Sequence, residues 1–525
     1  MKKLLVGAVA VVALSAGAYA YLVSAAESNI ESLAAEFNTS EDHELVVRYD
    51  DLDISLLSGS VELAGVQFVN RSDESKAIKV NNAVVSIDFW TDGDLPAISA
   101  AELTAVDMSA PEFELGVGKI SFEGFDLNAT TQAVESKELE NVPLGSLSMD
   151  DLKVISTKDQ NVELTLGEFR FETTNGGQDL VELSYNDIAF TFDDPQKTTM
   201  SLEEFTIKGG DLALLAKLIS KGMQSEEEGN GADTFMQSIA ADYSAATINY
   251  GGVDSFEMLD FKIATEAGFG MSIDEYYLRD VKRSGGIVVA GKTGITNFEV
   301  PTLKGLSPQM DQILAIAQHD GLRMNLLAQS DYDADTSELV GETSFVIDDL
   351  VSLSSEFSMQ NINLQKMAEA MIEFQSMQFE SAAADIAAAE NGQQVQDPTA
   401  ELAETIDAML AAYIGYYDSF AMNIDLKDSG LNTKFLNVYS AMTGATPDQL
   451  RASFVQLGTV NLSSALGTST PPNLQQSLEL YLAETSKPIR LEISSNESFD
   501  SEAVSTLDAE NWHTVLDIGI TDVPN

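Results

Sequence analysis

Apolar and polar residues alternate along most of this chain, and the alternation slips and resumes in a repeated way. One phrase recurs, apolar-x-apolar-x-x-apolar-x-apolar. It reads Val61-Leu63-Val66-Phe68, then Ile120-Phe122-Phe125-Leu127, Leu147-Met149-Leu152-Val154 and Leu164-Leu166-Phe169-Phe171. It returns as Leu183-Tyr185-Ile188-Phe190, Met200-Leu202-Phe205-Ile207, Phe256-Met258-Phe261-Ile263, Met271-Ile273-Tyr276-Leu278 and Phe357-Met359-Ile362-Leu364. Each half has period two, so each half predicts a strand with one apolar face. The two-residue gap would turn the second half over, because a slip of one residue exchanges the faces of a strand. One bulge residue in the gap restores a common face, and Ala64-Gly65, Glu123-Gly124 and Asn186-Asp187 suit it. Bulges bend and twist a sheet, so the phrase predicts strongly curved antiparallel sheet. A plain β-sandwich with the same alternation is the competing architecture.

Elsewhere the period lengthens to that of a helix. Asp211 caps a stretch through Lys221 with Leu212, Leu215 and Leu218, and a second short helix starts at Pro308 and ends near His319. Met367, Met371, Phe374 and Met377 form a helical stripe, suited to core or to a soft contact surface. Another helix starts at Asp397-Pro398, and Thr446-Pro447-Asp448-Gln449 is a capping box with Pro at the first helical position. Strands are expected again at 488–494 and 513–520. The expected class is α+β: curved, bulged antiparallel sheet blocks with short helices, then a mainly helical C-terminal region. The expected segments are an anchor or signal at 1–26, a first β block with its closing helix at 27–222, and an acidic linker at 223–233. A second β block with an inserted helix follows at 234–364, and the helical region with late strands at 365–525.

The N-terminus reads as an address. Lys2 and Lys3 precede an apolar run from Leu4 to Ala26, long enough to cross a hydrocarbon core of about 30 Å. The next basic residue is Arg48, so the positive-inside rule places the body outside the cytoplasm. Ala18-Tyr19-Ala20 and Ser24-Ala25-Ala26 also fit signal-peptide cleavage, which leaves anchor and cleaved signal as alternatives. Both export the body.

Charge then narrows the chemistry. The 525 residues hold 84 acids against 28 Lys and Arg, a formal charge of −56. That excludes a nucleic-acid binder, which needs cations to displace phosphate counterions. The absence of cysteine excludes thiol catalysis, zinc-thiolate and Fe–S sites. His43, His319 and His513 lie far apart with no recognisable triad partners. Asp331, Asp333, Asp335 and Glu342 match positions of a calcium loop, but Thr336 replaces its Gly and the flanks are strand-like. A polar hairpin turn, pairing 322–332 with 339–347, explains them. No catalytic residue, metal ligand or cofactor is expected.

The Lys pair, apolar helix, charged stub AESNIESLAAEF, Tyr49, the Leu56-Leu57-Ser58-Gly59 turn and the Gly65 strand come in a familiar order. Over residues 1–130 the chain resembles AsmA-like and YdgA-like bacterial envelope proteins. The resemblance implies a single-pass inner-membrane anchor at residues 4–26, a periplasmic body with a curved β-groove, and lipid or envelope proteins as partners. It carries across no catalytic residue. The expected function is non-enzymatic: a groove lined by Phe68, Phe122, Phe125, Phe169, Phe171, Phe190 and Phe205 that shelters acyl chains or an apolar partner segment. The alternative is an extracytoplasmic scaffold or secreted surface protein whose core is filled by its own residues.

Overall fold

The structure is a computed structural model. It describes residues 38, 45–55, 59–88, 97–110, 113–125, 145–156, 161–174, 178–193, 197–212, 252–266, 268–284, 287–302, 311, 321–366, 417–466, 470–483, 486–495 and 515–522. The anchor run, the acidic linker, the Met stripe, the Asp397-Pro398 helix and the three histidines lie outside them, as do all but the first two residues of the Asp211 helix and all but Asp311 of the Pro308 helix. Described residues are mostly antiparallel strand, in open and curved sheet. Two compact units divide the chain: Met1–Ser220 with Phe256–Ala267, and Lys221–Ser255 with Gly268–Asn525.

The first unit is an antiparallel meander. Its strands are β1 (Leu45–Arg48), β2 (Asp51–Ser55), β3 (Ser60–Asn70), β4 (Asp73–Asp88), β5 (Ala97–Ala110), β6 (Phe113–Phe125), β7 (Ser146–Ser156), β8 (Asn161–Thr174), β9 (Asp179–Asp193) and β10 (Thr198–Gly209), with β11 (Val253–Thr265) joining from Phe256 on. β1 and β2 both pair with β3, and each later strand through β10 pairs with its predecessor. Glu266 N–H donates to Lys197 O at 2.9 Å, tying β11 to β10.

Register turns the four apolar positions of the phrase into four rows across this sheet. One runs Leu63, Ala83, Leu103, Ile120, Met149, Phe169, Tyr185, Phe205, each directly opposite the next. The rows of Val61, Val66 and Phe68 cross in the same way. Where they traverse β3 to β6 they form one packed core, in which Val61, Leu63, Val66 and Phe68 are between 1% and 6% exposed. All four therefore face one side, as a bulge in the gap requires.

The bulge itself differs from the expected kind. A single extra residue in one strand should shift the register of its neighbour. Here the register is the same before and after the gap: Leu63 faces Ala83 and Val66 faces Val80, although two residues separate each pair of positions. The same holds from β4 through β10, because every strand carries its extra residue in the same column. That column reads Gly65, Asn81, Ala105, Gly118, Asp151, Gly167, Asp187, Glu203, and it forms a transverse crease. Gly65, Ala105, Asp151 and Asp187 hold left-handed φ of 61°, 49°, 54° and 54°, and Asp260 of β11 one of 50°. The left-handed residue falls on alternate strands, so each meets a neighbour that does not need it. In β6 the crease passes through Gly118, between Val117 and Ile120, instead of the expected Glu123-Gly124. Gly124 also has a left-handed φ of 70°, close to the end of β6.

The second unit contains β12 (Gly270–Ser284), β13 (Ile287–Val300), β14 (Leu322–Asp333), β15 (Glu338–Ile347), β16 (Val351–Gln360), β17 (Ser419–Asp428), β18 (Ile489–Ser495) and β19 (Leu516–Asp522), again a meander in chain order. A bulge of the expected, shifted kind occurs in β13: Ile295 faces Leu326 but Phe298 faces Met324, so β13 has one residue more. Asn325 fills the gap by accepting the Asn297 N–H at 2.8 Å. Between β17 and β18 stand α1 (Leu431–Thr443), α2 (Pro447–Leu466) and α3 (Leu474–Tyr481). The capping box closes both ways, with Gln449 N–H to Thr446 Oγ1 at 3.3 Å and Thr446 N–H to Gln449 Oε1 at 3.0 Å. Of the region 365–525, the described residues hold three helices between β17, which the sequence pattern did not mark, and the expected pair β18 and β19, so helix and strand are mixed there and a mainly helical region is not shown.

Candidate functional site

The apolar face of the first unit changes along its length. At β3 to β5 it is almost sealed, and Phe68, at 1% exposed, is core. Half-burial begins with Leu115, Ile120 and Phe122 of β6, and from β8 onward the same rows, Leu166 apart, carry larger, half-buried side chains. Phe169 and Tyr185 lie with ring centroids 5.0 Å apart, Tyr185 and Phe205 5.8 Å, and Phe205 and Phe256 5.3 Å. Register makes this ladder, since each ring but the last stands directly opposite the one before it. Tilted and edge-on contacts at these distances are the preferred arrangements of aromatic pairs. Burial pushes the Tyr185 phenol above its ordinary range. Phe190 packs edge-on against Phe192, centroids 4.0 Å apart.

Of the seven expected groove residues, Phe169 and Phe205 share the ladder row. Phe122 and Phe171 share another, the Val61 row, with Leu147 between them. Phe190 and Phe68 belong to the row of Ile78 and Leu164. Phe125 ends β6, and its side chain lies outside the described set. Pattern reading missed Tyr185 and Phe256 as members of the ladder, although both occupy apolar positions of the phrase.

The opposite face is polar and cross-linked by ion pairs, including Lys119 with Glu102 and Lys153 with Glu163, both at 2.8 Å. Along the crease it presents carboxylates. Glu203 and Asp260 share a hydrogen bond. That bond, and the charge of Asp260, hold the Glu203 carboxyl above the usual carboxylate range. The same bond and Lys262, 3.2 Å away, hold Asp260 below it. Among the described residues no group of three or more His, Asp or Glu is arranged to hold a metal.

In the second unit the calcium-like residues form a turn. β14 and β15 pair from Met324–Ile347 to Asp333–Glu338, and Asp333 Oδ1 accepts the Asp335 N–H at 2.8 Å. Asp331 is bound instead to Lys282 at 2.8 Å, which lowers its pKa and raises that of the lysine. An open trough of about 710 Å³ passes this ion pair, Gly341 and the Phe357 ring, which lies across the Cα of Gly341.

No protein-family model matches the chain, and no curated protein matches it in sequence. The geometry therefore carries the functional argument.

Proposed function

We propose that the chain is a non-enzymatic, exported envelope protein, held to the bacterial inner membrane by residues 4–26, whose first unit shelters lipid acyl chains or an apolar partner segment on its creased apolar face. One observation carries this reading. The four apolar rows continue past the sealed core into a half-buried aromatic ladder at Phe169, Tyr185, Phe205 and Phe256. Aromatic surface of this extent is a strong apolar contact area, and apolar binding sites are lined in this way. The face is built on a regular sheet, so its rows are positioned before any ligand arrives. The resemblance to AsmA-like proteins supports the same reading at the N-terminus.

A scaffold with a self-filled core is the second reading, favoured by the near-complete burial of the same rows at β3 to β5. Two substitutions separate them. Val66→Glu places an unpaired charge in the 1%-exposed core and should unfold the unit under either reading. Phe205→Glu should leave the far-ultraviolet dichroism intact and abolish lipid copurification, read by native mass spectrometry of detergent-free protein. Unfolding of Phe205→Glu, with no lipid on the parent protein, decides for the scaffold.

A further inference from the structure

The helices of the second unit differ from the rest of the molecule in charge. From Ser429 to Lys487 the bases Lys434, Arg451 and Lys487 balance the acids Asp448, Glu479 and Glu484, within a chain whose formal charge is −56. The same segment exposes apolar surface. Leu431, Phe435, Tyr439 and Met442 follow a helical stripe on α1 and are 38%, 48%, 40% and 70% exposed. Leu457 and Val460 on α2 are 56% and 60% exposed. Phe454 of α2 joins the two stripes, its ring 5.5 Å from Phe435 and 5.6 Å from Tyr439. These helices are capped and packed, with Leu436, Leu450 and Leu474 buried, so the patch is the outer face of a formed element.

We propose that this α1–α2 face is the contact between two copies of the chain, paired about a two-fold axis. Area is the first argument. Six side chains exposed to this degree amount to roughly 600 Å² per copy, at the upper end of the largest apolar patch on a typical monomer. Doubled, and with the polar rim that surrounds any contact, they reach the ~1,200–2,000 Å² of a specific interface. Charge is the second. Most of an acidic body repels a second acidic body, and a neutral patch is where two can touch. A two-fold contact needs only a surface complementary to itself, which a neutral apolar patch with aromatic anchors supplies. An anionic lipid surface fits less well, because interfacial helices carry a basic polar face. Here Arg451 is already committed to Asp448 at 2.7 Å and to the Leu482 carbonyl at 2.5 Å.

The chain lacks cysteine, which makes the test direct. Met442→Cys in the full-length protein, treated in isolated cell envelopes with a bifunctional maleimide, should give a cross-linked species of twice the mass. Asn437→Cys, exposed on another side of α1, should give several-fold less. Adding Phe435→Glu to Met442→Cys should return the yield to the Asn437→Cys level with helicity unchanged, and raising NaCl should increase it by screening repulsion between the bodies. Equal cross-linking at 437 and 442, or no effect of Phe435→Glu, overturns the proposal. So does protection of the Met442→Cys thiol from a water-soluble maleimide without a doubled mass, which would assign the patch to lipid or to another protein.

Discussion

The left-handed aspartates are the residues on which the first unit turns. An L-residue in that conformation costs about 1–2 kcal/mol, and Asp and Asn tolerate it best. Each also needs room beside it. A Cβ on Gly167 would stand 3.0 Å from the Asp187 Cβ, and one on Gly118 would stand 3.1 Å from that of Asp151. Asp187→Val should therefore destabilise the unit by more than about 2 kcal/mol, through its β-branch at a φ of 54°, while Asp187→Asn stays within about 0.5 kcal/mol. Urea midpoints compared at constant m decide this, and equal midpoints for both variants would remove the crease from the account. The Glu203–Asp260 pair has its own signature. Because the folded-state pKa of Glu203 is raised, its contribution favours the folded state below the ordinary glutamate pKa and is lost as pH rises through the raised value. Glu203→Gln removes that charge, so the variant should gain in melting temperature relative to the parent at neutral pH and lose that gain under acid. A difference that does not vary with pH contradicts the pairing.

At the scale of elements, much was legible in the pattern alone. The period-two halves became strands, except Ile362-Leu364, which lies past the end of β16, the two-residue gap became the column that keeps one apolar face, and the Thr446–Gln449 box became the N-terminus of α2. Thr446→Ala should cost about 1 kcal/mol, seen as a lower melting temperature of the second unit, and Thr446→Ser should recover most of it. What was hidden is collective. A gap in one strand says only that the strand has an extra residue. That neighbouring strands have theirs in the same column depends on register, which non-local pairing fixes. For the same reason the ladder was only partly visible: Phe169 and Phe205 stand out as phenylalanines, but Tyr185 links them by standing opposite both. β17 was missed although Phe420, Met422, Ile424 and Leu426 alternate strictly, because the segment follows an Ala-rich stretch that reads as helix and lacks the two-residue gap of the phrase. Gly341 shows an opposite device. The Phe357 ring lies where its side chain would be, so a residue that weakens a strand by itself is covered by the aromatic facing it.

For the whole molecule, charge is the term that no single contact reveals. With 84 acids and 28 Lys and Arg, carboxylate repulsion opposes the compact state, and cross-strand ion pairs such as Lys153–Glu163 offset only a small part of it. Added NaCl should raise the melting temperature at constant pH, and a flat response between low and near-molar salt would contradict this. Sulfate is no substitute, because it strengthens apolar burial as well. The crease has a further consequence, for heredity. A strand that loses one codon on one side of the column keeps its pairing on the other side, but turns part of its apolar row outward to water. A whole hairpin, one left-handed strand with its companion, can be gained or lost without disturbing the rows on either side. Length variation in this sheet should therefore come in pairs of strands, and single-residue deletions should survive only in the connections between them.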